Sequence, residues 1–155
     1  MTHTTVTRTV EIDAPVEKVF TFLADPEQYY TVREGLRVGD LTIRDVDRDA
    51  SGVVRSYKVV QPITIGRLTY HTVLSVTRAE QVPDRRIVDT FAIGGVQTEE
   101  VEPSGAGTRW HHTATMQTRV PLLDKLEVLL AVGGQERWEQ SLDEGIAAVK
   151  KALET

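Results

Sequence analysis

The chain has 155 residues, 40% of them hydrophobic and 26% charged, with a formal net charge of −5 and no cysteine. The acidic balance argues against a nucleic-acid partner, which needs clustered Lys and Arg, and the absent cysteines exclude disulfides, thiolate catalysis and Cys-based zinc sites. The length suits one domain, residues 1–155, with room for a sizeable core.

The N-terminal MTHTTVTRTV has no apolar signal core, and no run reaches the length of a membrane span. A cytoplasmic protein without stable membrane insertion is therefore expected. Val6, Val10 and Ile12 alternate with polar residues and share one face of a first strand, with Arg8 as the exception on that face. The tripeptide Asp13-Ala14-Pro15 stops the strand. Asp13 can accept N–H bonds at a helix start, and Val16, Val19, Phe20 and Leu23 then follow as one helical stripe. Pro26 breaks this helix and opens another, with Asp25 as its cap.

From about residue 40 the texture changes to strands, expected at Leu41–Val46, Gly52–Val60, Arg67–Arg78, Arg85–Ile93, Val96–Glu102 and Thr108–Arg119. The segments DRDASG, QPITIG, EQVPD, GG and PSGAG read as turns between them. Connections this short make antiparallel hairpins, and with the first strand the count is seven. From Pro121 to about Leu153 the pattern is helical, interrupted at Gly133-Gly134. The fold class is α+β: a curved antiparallel sheet whose apolar face is covered by a long C-terminal helix, with two short helices between strands 1 and 2.

The segments IDAPVEKVFTFLADPEQY and VEPSGAGTRWHHTATM, with the closing amphipathic helix, resemble the START-like superfamily. More narrowly, the chain resembles the polyketide cyclase/dehydrase and lipid-transport-type proteins called SRPBCC. The resemblance implies a helix-grip fold with a ligand cavity between sheet and helix, and it leaves the ligand open.

Alternation predicts the cavity walls. Trp110, His112, Ala114 and Met116 share the more apolar face of their strand, which leaves His111 outside. The same logic turns Leu68, Tyr70, Thr72, Leu74 and Val76 inward, and prefers Ile87, Asp89, Phe91 and Ile93 on the next strand. On VVRSYKVV it prefers Val53, Arg55, Tyr57 and Val59. His112 with Tyr70 is the candidate catalytic pair, a proton carrier beside a hydroxyl donor. The candidate ligand-binding residues are Tyr57, Leu68, Leu74, Phe91, Trp110 and Met116, with Leu126 and Leu130 from the C-terminal region. Each aromatic and histidine also has a plainer reading as a packed wall residue with a satisfied polar tip. Asp89 and Arg55 read as an internal ion pair or as two surface residues, and the cost of burying unpaired charge favours the surface.

Adjacent His111 and His112 point to opposite faces and cannot readily chelate one ion, so no metal is expected. No cofactor is expected either. The apolar stretch Pro121–Gly134 reads as core, as a roof over the cavity mouth or as a homodimer contact. The leading expectation is binding or transport of a small hydrophobic molecule. The rival is a polyketide cyclase, aromatase or dehydratase using His112 and Tyr70. A third reading has the cavity filled by side chains, in an interaction module.

Overall fold

The computed structural model describes residues 2–32, 41–92, 94–118 and 135–155. Seven strands, β1 (Thr2–Ile12), β2 (Thr42–Arg48), β3 (Val54–Ile65), β4 (Leu68–Val82), β5 (Arg86–Phe91), β6 (Val96–Ser104) and β7 (Gly107–Thr118), form one sheet. Their order is β1-β7-β6-β5-β4-β3-β2, antiparallel throughout. The short helices α1 (Val16–Ala24) and α2 (Pro26–Thr31) follow β1, and α3 (Gln135–Glu154) ends the chain. This is the helix-grip arrangement. The apolar stretch Pro121–Gly134, with Leu126 and Leu130, lies outside the described residues.

The α1 stripe folds as its spacing predicts: Val19, Phe20 and Leu23 are buried. Its start differs from expectation. Pro15 is the N-cap and no side chain caps it. The Pro15 carbonyl accepts from Lys18 and Val19, while the Asp13 N–H donates to Glu154 at 2.8 Å. Asp13 thus ties β1 to the C-terminus rather than capping α1. Asp25 caps α2 as expected, its Oδ1 accepting from the Glu27 N–H at 3.0 Å, with Pro26 in the first turn.

Two expected turns are strand. QPITIG continues β3 to Ile65, and the chain reverses only at Gly66-Arg67. Pro62 is tolerated there because β2 pairs with β3 only as far as Val60, so Pro62 has no β2 residue beside it. Glu80, Gln81 and Val82 likewise extend β4.

Leu142, Ile146, Val149 and Leu153 line one side of α3 and are buried in the same core as Trp110, Ile12 and Val19. Each contributes about 1.5–3 kcal/mol of apolar burial. Polar ties fix the helix along its length. Arg8, the exception on the apolar face of β1, donates to Asp143 at 2.7 Å and lies 3.5 Å from Glu139. Lys18 donates to the Leu153 carbonyl at 3.0 Å, and Lys150 to that of Glu11. Arg8 therefore faces inward because its partners stand on the covering helix.

β1 meets β7 so closely at Gly107 that a Cβ there would stand 2.4 Å from the Ile12 carbonyl oxygen. Gly107→Ala is expected to cost about 3 kcal/mol in urea unfolding, because backbone must move. Gly105, at φ +60° with open space around it, is expected to lose only about 1–2 kcal/mol as Ala. Equal losses would mean that the β1 end yields without strain.

Candidate functional site

The two-residue turn Gly105-Ala106 sets the register of β6 on β7 and places Glu99 opposite His112. Both point to the covered face: Trp110 is fully buried, His112 is 1% exposed and Glu99 3%. His112 Nδ1 lies 2.7 and 2.9 Å from the two Glu99 oxygens. Trp110 Nε1 donates to Glu99 at 2.5 Å, Gln97 Nε2 at 3.0 Å, and the Tyr29 hydroxyl reaches in from α2 at 3.2 Å. The indole N–H can only donate. Both carboxylate oxygens already accept, Oε2 from Trp110 and Oε1 from Gln97 and Tyr29, which is the pattern of an ionised group replacing its lost hydration.

Because Glu99 accepts, His112 Nδ1 carries a hydrogen. The other ring nitrogen, Nε2, is buried and has no hydrogen-bond partner; among the described residues Ser141 Oγ on α3 is the one other such side-chain atom. Trp110 holds the imidazole edge-on at 5.9 Å, fixing its plane. The arrangement therefore presents one nitrogen, held in place from behind by a carboxylate and aimed away from it.

A second polar network occupies the same face. Arg78 donates to Asp89 through Nε at 2.7 Å and through its terminal nitrogen at 3.2 Å, to the Ala24 carbonyl at 3.0 Å and to Gln81 at 2.7 Å. Tyr57 donates to Asp89 at 2.6 Å, and the Tyr30 and Tyr57 hydroxyls are 3.5 Å apart. Burial pulls the Arg78 pKa down, the Asp89 bonds push it up, and the net shift is upward. Asp89 is thus a buried, doubly bonded partner of Arg78, which corrects the surface reading. Arg55 is exposed. Register passes from Arg48↔Val54 to Asp47↔Ser56, so Arg55 is the extra residue of a β-bulge and leaves the inward set.

The other expected wall residues divide. Tyr57 and Trp110 are buried, and Leu74 and Phe91 pack partly buried against the core. Met116 is half-buried. Leu68 is 61% exposed, because it stands at the tip of the β3–β4 hairpin opposite Ile65. The Tyr70 side chain lies outside the described residues. Its backbone pairs with Ile63 on β3, and its own strand β4 stands three strands from β7, whereas His112 pairs with Glu99. His111 faces outward as expected, bonded to Thr9 at 3.0 Å and Glu102 at 3.2 Å. A surface groove of about 470 Å³ beside it is lined by Glu80, Arg85, Arg86, Glu100 and Glu102. Its charges are largely paired with one another, Arg86 with Glu80 and Glu100, and Glu102 with His111.

Glu99, Arg78, Gln97, Tyr29 and Tyr30 were not among the expected site residues. Glu99 could have been found by counting outward from the Gly105-Ala106 turn to the partner of His112. Arg78 continues the inward alternation of Leu74 and Val76, but its pairing with Asp89 could not be counted from the β4–β5 turn, because register slips by one between Arg78 and Glu80.

Removing one member of the buried ion pair is expected to be costly. Asp89→Asn should lose about 3–5 kcal/mol in chemical denaturation, and Tyr57→Phe about 1–2 kcal/mol. Burial first, then Tyr30 and Asp89, raises the Tyr57 phenol well above the ordinary tyrosine value. The unfolded chain loses that proton first, at about pH 10, so this contribution to stability is full below that pH and declines above it. Tyr57→Phe is expected to flatten the alkaline fall in stability; an unchanged alkaline limb would contradict this assignment.

Solved structures share the fold at low identity. The KanY protein (ms6282) matches over 100% of both chains with 15% identity and a TM-score of 0.70. A START superfamily protein from Mycobacterium smegmatis matches over 99% of this chain and 98% of its own, with 16% identity and a TM-score of 0.65. The protein TTHA0849 from Thermus thermophilus matches over 97% of each chain, with 16% identity and a TM-score of 0.64. A search of curated proteins found no match. The family model described as polyketide cyclase/dehydrase and lipid transport matches residues 3–154. The chain therefore belongs to the polyketide cyclase/dehydrase and lipid transport family.

Proposed function

We propose that the protein binds a small hydrophobic molecule, lipid-, polyketide- or hormone-like, between the inner face of the sheet and α3. The observation that carries this reading is His112 Nε2, a buried polar atom without a partner. An unsatisfied buried polar group costs about 1–3 kcal/mol, and a ligand group that bonds it recovers that loss. Ser141 supports the same reading from the covering helix, since its hydroxyl is also buried and unpartnered. The buried core on this face is largely apolar or aromatic, with Glu99, Gln97 and Arg8 as the polar neighbours of His112, which suits a greasy occupant with one or two polar handles. The family description, which names lipid transport, is consistent with carriage.

A second reading has a specific observation behind it. The Glu99–His112 pair is the kind of carboxylate-oriented imidazole that serves as a general acid or base. A cyclase or dehydratase would use His112 to move a proton on a carbonyl substrate, with Tyr70 as the remaining candidate donor.

Titration with the apolar fluorophore N-phenyl-1-naphthylamine is expected to give saturable, single-site binding. Solvent extraction of purified protein is expected to release an apolar compound detectable by mass spectrometry. A linear, non-saturating titration together with an empty extract would sink the binding reading. For the enzyme reading, His112→Ala is expected to abolish turnover of a candidate substrate even at saturating concentration; unchanged turnover would remove His112 from the chemistry.

A further inference from the structure

We infer that Glu99 locks His112 as a hydrogen-bond acceptor toward the interior, so that the site selects apolar molecules carrying a weakly acidic hydroxyl, a phenol or an enol, over ethers, ketones and plain hydrocarbons. This rests on the proposed binding between sheet and α3 and names the chemistry of its polar end.

The argument starts from donor and acceptor identity. Glu99 accepts from Trp110, Gln97 and Tyr29, so its oxygens act as acceptors toward His112 as well. Both short contacts from the imidazole go to Nδ1, which fixes the hydrogen on that nitrogen. Nε2 then holds either a lone pair or a second hydrogen. In the unliganded protein a second hydrogen would leave a cationic N–H buried with no acceptor. Glu99 would offset the charge, but the Nε2 hydrogen itself would still lack an acceptor, and a buried charged donor without one costs more than an unpaired neutral lone pair. The unliganded site therefore presents the lone pair.

A lone pair fixed in a buried wall discriminates by chemistry. A hydroxyl donates to it. The oxygen of a ketone or an ether brings a second lone pair and leaves both atoms unsatisfied, and a hydrocarbon leaves Nε2 as it was. A site built to bond a ligand hydroxyl rejects analogues lacking it far more strongly than an apolar pocket rejects a missing methylene. The carboxylate behind Nδ1 makes Nε2 a better acceptor, as it does for metal-ligating histidines, and an acidic hydroxyl gains most from that. Trp110 and Glu99 leave the ring little freedom to turn away. Glu99 is thus a positioning residue: it acts on the ligand only through His112.

Three probes of nearly equal size test this: 1-naphthol, 1-methoxynaphthalene and 1-methylnaphthalene, each titrated into the full chain by calorimetry. The expected result is saturable binding of 1-naphthol at least about tenfold tighter than either analogue. Saturable binding of all three with similar affinity overturns the inference and leaves the proposed function standing. Binding of none of the three overturns both. Nitrogen-15 NMR of the histidine side chains supplies a readout that a merely structural role would not move. His112 is expected as the Nδ1–H tautomer in the free protein, with Nε2 shifting on addition of 1-naphthol and not of 1-methylnaphthalene. An Nε2–H form in the free protein overturns the inference. Glu99→Gln is expected to admit both tautomers and bring the naphthol preference near unity, with Glu99→Asp restoring part of it. Should the glutamine variant fail to fold, the probe series and the NMR of the unaltered protein decide alone.

Discussion

A carboxylate buried on the covered face of the sheet constrains everything around it. Glu99 is 3% exposed, and a charge in that position is tolerable only with its hydration fully replaced. Replacement takes four donors from three elements: Gln97 on its own strand, Trp110 and His112 on β7, and Tyr29 on α2. The β6–β7 register and the seating of α2 must both be right for the charge to be met. Losing any one donor leaves the others to solvate the same charge less well.

The helix α2 links this network to the second one. Asp25 and Pro26 start a helix only six residues long, and its consecutive tyrosines point about 100° apart. Tyr29 reaches Glu99 and Tyr30 reaches Tyr57, which bonds Asp89. The two rings meet edge to face at 5.0 Å. A short helix with little intrinsic stability is thereby held by two buried acids, and two parts of the sheet's inner face are joined through it. This answers why the chain inserts two helices directly after its first strand: α1 supplies the apolar plug, and α2 supplies the hydroxyls that the buried acids require.

The fold was legible because hydrophobic period and turn residues agree along most of the chain. Strand and helix order, the Val19–Phe20–Leu23 stripe and the inward Trp110 and His112 all follow from spacing. The misreadings have local causes. Pro62 looked like a turn because proline lacks an N–H, a defect that matters less where β3 has outrun β2. Arg55 looked inward because alternation assumes an unbroken strand, and a bulge removes it from the count. Asp89 looked exposed because its pairing with Arg78 lies beyond a register slip, counted from the β4–β5 turn, that no residue pattern marks. Glu99 was the readable omission, since the tight turn at Gly105-Ala106 fixes its partner.

Two buried acids on one face invite a functional reading of both, yet their partners separate them. Asp89 meets a full guanidinium in two contacts, and the remaining Arg78 donors end on a carbonyl and an amide. That network closes on itself, which is the behaviour of a structural brace. Glu99 meets an imidazole, a side chain with a second nitrogen on its far edge, and this nitrogen is buried without a partner. A brace needing only a donor for Glu99 would be served by an indole such as Trp110 already provides, with no second polar atom left beyond it. Histidine adds a buried atom directed away from the carboxylate at a cost in stability, and the proposed ligand would recover that cost.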